Sequence, residues 1–300
     1  VWPNVRYMLS QPEIFRLPET APLDPRAIAR EVVIVPGLIK LDRYNRVADY
    51  LTEALGYERG KDVLEFPYDW RQDVRESAKR LAAAIDAWPV EGPITIVAHS
   101  LGCLVSRWYV EHLGGKAKVG RLVLMGGPHL GAPRALTGLM GGPKALPFRL
   151  LGSRVHEVLA TFPSTFQLLP WGACGLDQDG RPLDLFTDDR WLPEASRPLL
   201  REAKAFRRRL GTRSSVPTVS IFGYGQKTIT DLNVRRDDEG RWQKLDFGFS
   251  AAGDDAVPET SAVLPGSEIH PVHQSHGALY VDNDVKMRLR LELTRAENQE

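Results

Sequence analysis

The segment TIVAHSLGCLVSRWYV (residues 95–110) decides the fold, because its pattern changes in the middle. Its first residues are apolar and β-branched, as in a buried strand, and the residues from Leu101 onward have the apolar spacing of a helix. Ser100 lies at the corner, with Ala98 and Gly102 two residues to either side. Small residues at these two positions leave room for a tight strand-to-helix turn that exposes a serine hydroxyl, so Ser100 is a candidate nucleophile. The alternative is that Ser100 only caps the helix.

Strand and helix patterns alternate on both sides of this corner. Apolar runs occur at residues 31–37, 61–69, 92–99, 119–127 and 216–223. Helical patterns occur at residues 44–56, 73–88 and 101–115. Continuous apolar strands joined by helices are typical of a parallel sheet that is covered on both faces. We therefore predict an α/β fold with a mostly parallel central sheet, helices on both faces, and functional groups beyond the carboxyl ends of the strands.

The alternation stops between residues 134 and 212, where the sequence is irregular and rich in Leu, Pro and Gly. Long structureless loops are uncommon inside compact domains, so we predict that these residues form an inserted cap. Residues 228–250 have the pattern of a β-hairpin with its turn near DDEG. We expect residues 1–300 to form a single domain with a disordered tail at 295–300.

Composition and charge narrow the class of function. Lys and Arg total 39 against 38 Asp and Glu, a net charge of +1, which provides no basic field for binding nucleic acid. The Arg-rich segment FRRRL (206–210) is accordingly interpreted as a solvated helix face. Cys103 and Cys174 suggest neither a disulfide framework nor a metal site, and Cys103 is expected to be a small buried residue. We expect no metal and no organic cofactor.

The sequence gives no sign of a membrane span or a targeting signal. It contains no run of about 18 apolar residues, so no transmembrane segment is predicted. The N-terminus lacks the pattern of a secretory signal, which favours a cytoplasmic protein. The chain begins with Val rather than Met, which leaves open a fragment or processed form of a longer polypeptide that is fused to other domains.

A serine nucleophile needs an imidazole base, and the base needs a carboxylate that orients it. In this fold class these residues follow in the chain order Ser, acid, His. GDDAVP (253–258) is the acid-bearing turn after the predicted hairpin. We choose Asp254 as the acid because it directly follows Gly253 at the end of a predicted strand. The alternative, Asp255, is expected to bond to the backbone of its own turn.

Three histidines compete for the role of base. His276 precedes Gly277 and the start of a helical pattern, so a short turn can point its ring inward. His270 and His273 lie on either side of a Pro-Val pair in an extended segment. We choose His276.

The oxyanion formed during ester cleavage needs backbone N–H donors. The N–H of Leu101 lies at the start of a helix, where unsatisfied donors collect. The second donor comes from the loop after the first strand, where Gly37 permits a turn. We choose the N–H of Leu38, with Ile39 as second choice and as a residue beside the substrate.

Several segments together resemble the lecithin:cholesterol acyltransferase family of α/β-hydrolases, which includes lysosomal phospholipase A. The segments are VVIVPG (32–37), PYDWR (67–71), AHSLG (98–102), GGPHLGAP (126–133), FPSTFQLLP (162–170), GDDAVP (253–258) and HGAL (276–279). The resemblance implies Ser100 as nucleophile, Asp254 as acid and His276 as base. The family's vertebrate members have a cysteine-closed lid, whereas residues 37–62 here contain no cysteine, so bacterial-type relatives are the nearer comparison.

The resemblance also suggests roles for residues outside the triad. Phe162, Phe166 and Leu168 of the cap are candidate acyl-contacting groups, although an apolar cap core would have the same sequence pattern. In PYDWR, Asp69 and Arg71 are expected to pair and hold a loop beside the active site. In GGPHLGAP, His129 is expected to position a loop.

These features predict a serine hydrolase that cleaves carboxylic esters, with lipid or phospholipid acyl esters as substrates, through an acyl-enzyme. The partner is then a lipid or other acyl ester, with transient contact at a membrane surface. An acyltransferase that passes the acyl group to an alcohol shares every catalytic residue and is the first alternative. A catalytically silent binding module of a multidomain protein is the second.

Overall fold

We describe the protein from a computed structural model, which covers residues 11–17, 32–35, 39–41, 45–140 and 153–297. The strands are β1 (Val32–Val35), β2 (Ile39–Leu41), β3 (Ile94–His99), β4 (Val119–Met125), β5 (Ala173–Asp177), β6 (Pro182–Asp184), β7 (Thr218–Gly223), β8 (Thr228–Arg236), β9 (Trp242–Ser250) and β10 (Glu268–Val272). The α-helices are α1 (Asn45–Leu55), α2 (Val74–Asp86), α3 (Leu101–His112), α4 (Arg134–Met140), α5 (Ser153–Leu159), α6 (Pro163–Gln167), α7 (Arg197–Leu210), α8 (Glu259–Ala262) and α9 (Asn283–Glu297). Short 3₁₀ helices occur at Pro12–Phe15, Gly115–Ala117, Glu194–Ser196 and His276–Val281.

The central sheet has the strand order β10-β7-β4-β3, and each neighbouring pair is parallel. The register aligns His99 with Met125, Met125 with Ile221, and Ile221 with His270. The carboxyl ends of these strands therefore meet at one edge, and Ser100 follows β3 at that edge. The predicted α/β fold with a mostly parallel central sheet is confirmed.

Alternate residues of β4 pack into two different cores. Leu122 and Leu124 pack with residues of α2 and α3, whereas Val123 and Met125 pack with Leu289 of α9. Successive side chains of a strand point to opposite faces of the sheet. The central sheet is therefore covered by helices on both faces, as predicted.

Two of the predicted strands of the central sheet are not found there in the described part of the chain. Residues 61–69 form no strand, and among the described residues only an isolated bridge joins Val63 to Arg59. Pro67 has no N–H group with which to continue a ladder. Of the predicted strand at 31–37, the structure describes only residues 32–35, which form β1; in the described part of the chain β1 pairs antiparallel with β2 and not with the central sheet. The connection between β1 and β2 is far shorter than the dozen or more residues that a parallel crossover needs.

Residues predicted as a cap contribute to a second sheet of order β6-β5-β8-β9. Strands β5 and β6 lie within 134–212, whereas β8 and β9 form the predicted hairpin at 228–250, which is confirmed. Phe166 and Leu183 from the cap pack with Ile229 and Leu232 of β8 in one core. The hairpin therefore shares its core with residues 134–212, and this shared core extends beyond the predicted cap boundary.

The C-terminal helix α9 runs to Glu297, so it overlaps the predicted disordered tail at 295–297. Leu, Arg, Ala and Glu are good helix formers, which explains the continuation. Residues 298–300 lie outside the described residues. None of the helices described in the structure is both long and apolar enough to cross a membrane.

Candidate active site

Ser100 occupies a strained corner between β3 and α3. Its φ of 55° and ψ of −126° are rare for a residue other than glycine, and such a conformation costs about 1–3 kcal/mol. The corner is held by the backbone, because the N–H of Ser100 donates to the carbonyl of Met125 at 2.9 Å. The Ser100 side chain makes no capping hydrogen bond to α3, so the alternative of a simple helix cap is not observed.

His276 meets the Ser100 hydroxyl at the carboxyl edge of the sheet. Its Nε2 lies 2.9 Å from Oγ of Ser100. His276 begins a 3₁₀ helix, and its backbone N–H donates to the carbonyl of Asp254 at 2.7 Å. The imidazole therefore faces the serine on one side while its main chain is attached to the acid-bearing turn.

Asp254 lies on the far side of the imidazole and is fully buried. Its Oδ2 lies 2.7 Å from Nδ1 of His276, and its Oδ1 accepts from the N–H groups of Val257 at 2.7 Å and Ala256 at 3.1 Å. Burial acts to raise the pKa of Asp254, but the attraction and hydrogen bond of His276 and the two N–H donors outweigh it and lower that pKa. Asp254 is thus held as a carboxylate that orients the imidazole.

The three predicted residues are therefore brought together, and the residues we did not choose lie elsewhere. Asp255 has a φ of 81° and its Oδ1 accepts from Nη1 of Arg134 at 2.9 Å. His270 lies in β10, with its Nε2 3.5 Å from a carboxylate oxygen of Asp284. The ring of His273 packs edge-on against Tyr224 at a centroid distance of 5.5 Å.

His99 supports the imidazole from behind, a role that we did not predict. Its Nε2 lies 2.9 Å from the carbonyl oxygen of His276, and the two rings are 4.6 Å apart between centroids. Burial, followed by the charge of His276, lowers the pKa of His99 to about 3, so the ring is neutral and Nε2–H can donate to that carbonyl. The sequence signal was its place immediately before Ser100, at the end of a buried strand.

Two glycines at strand ends leave room for the side chains of His276 and Asp254. A Cβ on Gly126, whose φ is 56°, would lie 2.9 Å from Nδ1 of His276. A Cβ on Gly223 would lie 2.6 Å from Cβ of Asp254. At Gly102, by contrast, a Cβ would meet its nearest neighbour, the hydroxyl of Tyr68, at an ordinary 3.6 Å. Around these three residues, a small residue is therefore needed more at Gly126 and Gly223 than at Gly102, where the turn pattern predicts the need.

The N–H of Leu101 is available at the start of α3. Leu101 is the first residue of the helix, and the first N–H groups of a helix have no acceptor within it. The predicted second donor, Leu38, lies outside the described residues. Ile39 is the first residue of β2, and its side chain, predicted to lie beside the substrate, also lies outside the described part.

The structure places Phe162 and Phe166 in the cap core and not on a surface open to an acyl chain. Both are fully buried. Phe162 packs edge-on against Trp70 at 5.4 Å, and Phe166 packs among the side chains shared with the hairpin. Leu168 is half-buried against the core around α3. The alternative interpretation, that this segment forms an apolar cap core, therefore accounts for both phenylalanines.

The predicted pair of Asp69 and Arg71 is present and buried. Nε of Arg71 donates to Oδ1 of Asp69 at 2.9 Å, and Nη2 donates to Oδ2 at 2.7 Å. Nη1 of the same guanidinium donates to the carbonyl of Phe15 at 2.9 Å. The pair thus ties the PYDWR segment to the N-terminal 3₁₀ helix.

Comparison with known proteins gives relatives at modest identity. The lysosomal phospholipase A and acyltransferase of Bos taurus is 34% identical over 128 residues, which are 39% of this chain and 30% of the relative. The protein of the same name from Homo sapiens is 28% identical over 126 residues, with the same two coverages. The matched part thus spans less than a third of these curated relatives.

A solved structure and a family model match a larger part of the chain. The crystal structure of the Tle4–Tli4 complex superposes with a TM-score of 0.61 over 98% of this chain and 80% of that chain, at 15% identity, which shows a shared fold. Residues 36–233 match the family model for lecithin:cholesterol acyltransferase. The parallel sheet with a serine at the β3–α3 corner is an α/β-hydrolase fold, and because the family model covers most of the chain, the chain belongs to the lecithin:cholesterol acyltransferase family.

Proposed function

We propose that the protein is a serine esterase that cleaves acyl esters of lipids, including phospholipids. The observation that carries the proposal is the continuous relay from Oγ of Ser100 through His276 to Asp254, with contacts of 2.9 and 2.7 Å. A lipid substrate is supported by the names of the mammalian relatives, which are phospholipases and acyltransferases.

In the proposed reaction, Oγ of Ser100 attacks the ester carbonyl carbon as its proton passes to Nε2 of His276. The carboxylate of Asp254 stabilises the imidazolium that forms. The N–H of Leu101 donates to the oxyanion, and one such donor is worth about 3–4 kcal/mol in the transition state. His276 then protonates the leaving alcohol, and the acyl group remains on Ser100.

Hydrolysis of the acyl-enzyme repeats the steps with water as nucleophile. Nε2 of His276 takes a proton from water, and the oxygen of water attacks the acyl carbonyl carbon. Collapse of the second tetrahedral intermediate releases the fatty acid and returns the proton to Oγ of Ser100.

A fluorophosphonate probe tests the nucleophile directly. We expect the probe to label wild-type protein and the Ser106→Ala variant, and not to label Ser100→Ala. Ser106 is a matched control because it lies on the same helix and its hydroxyl donates to the carbonyl of Gly102 at 2.9 Å. No labelling of folded wild-type protein would instead support the catalytically silent binding module.

Turnover of a substrate panel tests the reaction. We expect hydrolysis of long-chain p-nitrophenyl esters and of phospholipid vesicles, with kcat lowered at least about 10⁴-fold in Ser100→Ala. Cleavage of p-nitrophenyl acetate alone, with no release of fatty acid from vesicles, would argue against a lipid substrate.

The acyltransferase alternative is favoured by the names of the same relatives. The two reactions share the acyl-enzyme and differ only in the acceptor. Phospholipid vesicles incubated with and without a long-chain alcohol distinguish them, because only acyl transfer yields a new ester of that alcohol.

A further inference from the structure

A buried cationic cluster lies behind the nucleophile helix, away from the triad. Arg107 is on α3, one turn after Cys103, and is fully buried. Its Nη2 donates to three carbonyl oxygens at the end of α7, those of Leu210 at 3.2 Å, Gly211 at 2.9 Å and Arg213 at 3.0 Å. Arg107 thus joins the nucleophile helix to the C-terminus of α7.

A second arginine approaches from α7. Arg207 and Phe206 are buried, whereas Arg208 is exposed. The interpretation of FRRRL (206–210) as a solvated helix face is therefore wrong for Arg207. Nη1 of Arg207 donates to the carbonyls of Pro128 at 3.3 Å and His129 at 2.9 Å. Arg207 therefore joins α7 to the loop in which His129 lies.

The ring of His129 lies between these elements. A Cβ on Gly127 would lie 2.6 Å from Nε2 of His129 and 3.0 Å from Cβ of Cys103, so the ring packs onto the start of α3. Burial, and then the charges of Arg107 and Arg207, hold the pKa of His129 well below its ordinary value. His129 is thus a neutral ring with one N–H to donate.

Several donors of this cluster have no protein acceptor in the described part of the chain. They are Nε and Nη1 of Arg107 and Nε and Nη2 of Arg207, and both ring nitrogens of His129 are likewise without a partner. Burial lowers the pKa of Arg107 to about 10 and of Arg207 to about 9, so both remain charged at neutral pH. The carboxylate that attracts Arg107 is Glu111, whose Oε1 accepts from the N–H of Ser215 at the exposed end of the cluster.

Among the described residues these two buried positive charges have no buried counter-charge, which is costly by several kcal/mol for each ion. In the described part of the chain, the groups that contact or lie near the two guanidinium groups include carbonyl oxygens that are already bonded, the neutral ring of His129, the thiol of Cys103 and the ring of Phe206. The remaining N–H groups therefore require an acceptor that carries negative charge and needs little space.

We propose that Arg107, Arg207 and His129 bind a small monovalent anion of the halide class, which holds α3, α7 and the 127–131 loop together. A monatomic anion accepts several N–H bonds without a preferred orientation and takes about the room of one water molecule. This site is separate from the proposed esterase reaction and does not depend on it.

Bromide is the probe, because it scatters anomalously. In crystals grown with sodium bromide, we expect an anomalous peak within hydrogen-bond distance of both guanidinium groups. In solution, Tm should rise by about 2 °C for each tenfold increase in bromide above Kd, relative to gluconate at the same ionic strength. Arg207→Met should abolish this rise, and the exposed neighbour variant Arg208→Met should keep it.

Three results would overturn the proposal. The first is an ordered water in place of the anomalous peak. The second is the same bromide-dependent Tm in Arg207→Met as in Arg208→Met. The third is a peak with no rise in Tm, which would mark binding at crystal concentration only. If Arg207→Met does not fold, the crystal and the Tm of the wild-type protein still decide the matter.

Discussion

Gly126→Ala tests whether the strand end of β4 positions the base. Gly126 has a φ of 56°, and its N–H is fixed by the carbonyl of Ile221 at 2.8 Å. An added Cβ would lie 2.9 Å from Nδ1 and 3.0 Å from Cε1 of His276, and 3.0 Å from Cδ1 of Leu279. The backbone cannot easily withdraw, so the imidazole must move.

The size of the effect follows from these contacts. Ordinary carbon contacts are about 3.5–4.0 Å, so the ring must shift by roughly 0.5 Å or more. A misplacement of about 1 Å can cost 10²-fold in rate, so we expect kcat/KM to fall about 10- to 100-fold. The left-handed backbone adds a cost of roughly 1–2 kcal/mol in stability for a residue with a Cβ.

Gly114→Ala is the matched control, because Gly114 has a φ of 79° and nothing within 4 Å of an added Cβ. The backbone cost of roughly 1–2 kcal/mol applies to both variants, so both should lose about the same 2–4 °C in Tm. Only Gly126→Ala should lose activity. The assay is hydrolysis of a p-nitrophenyl ester alongside thermal unfolding. Equal activity of the two variants would show that Gly126 does not position His276.

Three further predictions follow from the site. Asp254→Asn should lower kcat by about 10⁴-fold in the same ester assay, because the amide no longer favours the correct imidazole tautomer, whereas Asp255→Asn should stay within several-fold of wild type. Burial lowers the pKa of His99 to about 3 in the folded protein, whereas an unperturbed histidine has a pKa of about 6.5. Between pH 6.5 and about 3 the unfolded chain therefore binds one more proton than the folded protein. The free energy of unfolding should fall as pH falls through that range, by at most about 1.4 kcal/mol per pH unit. Urea unfolding should show a flatter pH dependence for His99→Gln, and an unchanged slope would refute this titration. Asp69→Asn removes the carboxylate that pairs with the buried guanidinium of Arg71 and should cost about 3–5 kcal/mol in urea unfolding, and the double variant with Arg71→Met should recover part of that loss.

The sequence was most informative where chemistry and local backbone geometry coincide. The corner at Ser100 combines a periodicity change with small neighbours, and both signals are local. The choice of Asp254 and His276 used only chain order and turn composition, yet the structure brings both to Ser100. Local patterns were informative because each residue lies in, or next to, a recognisable strand end or turn.

The parts that sequence reasoning missed depend on contacts between distant segments. Nothing local indicates that Gly126 must admit the ring of a residue 150 positions away. The apolar pattern of 61–69 resembles a strand, but a strand exists only where a neighbour completes its ladder. Phe162 and Phe166 show the same limit, because a buried aromatic in a cap core and one in a lipid groove have the same sequence pattern.

The β8–β9 hairpin interrupts the chain between β7 and the acid-bearing turn, so the position of that turn at the end of β7 needs an explanation. The base of the hairpin is closed by the backbone, since the N–H of Gly225 donates to the carbonyl of Ala251 at 2.8 Å and that of Gln226 to Gly253 at 3.0 Å. The chain therefore returns to the point at which it left the sheet, and Asp254 lies against Gly223 as though it directly followed β7. Because loop length adds little entropic cost once the ends are joined, the hairpin can pack with the cap without moving the acid. The same closure explains how Asp254 reaches His276 although a long insertion lies between Ser100 and Asp254 in the chain.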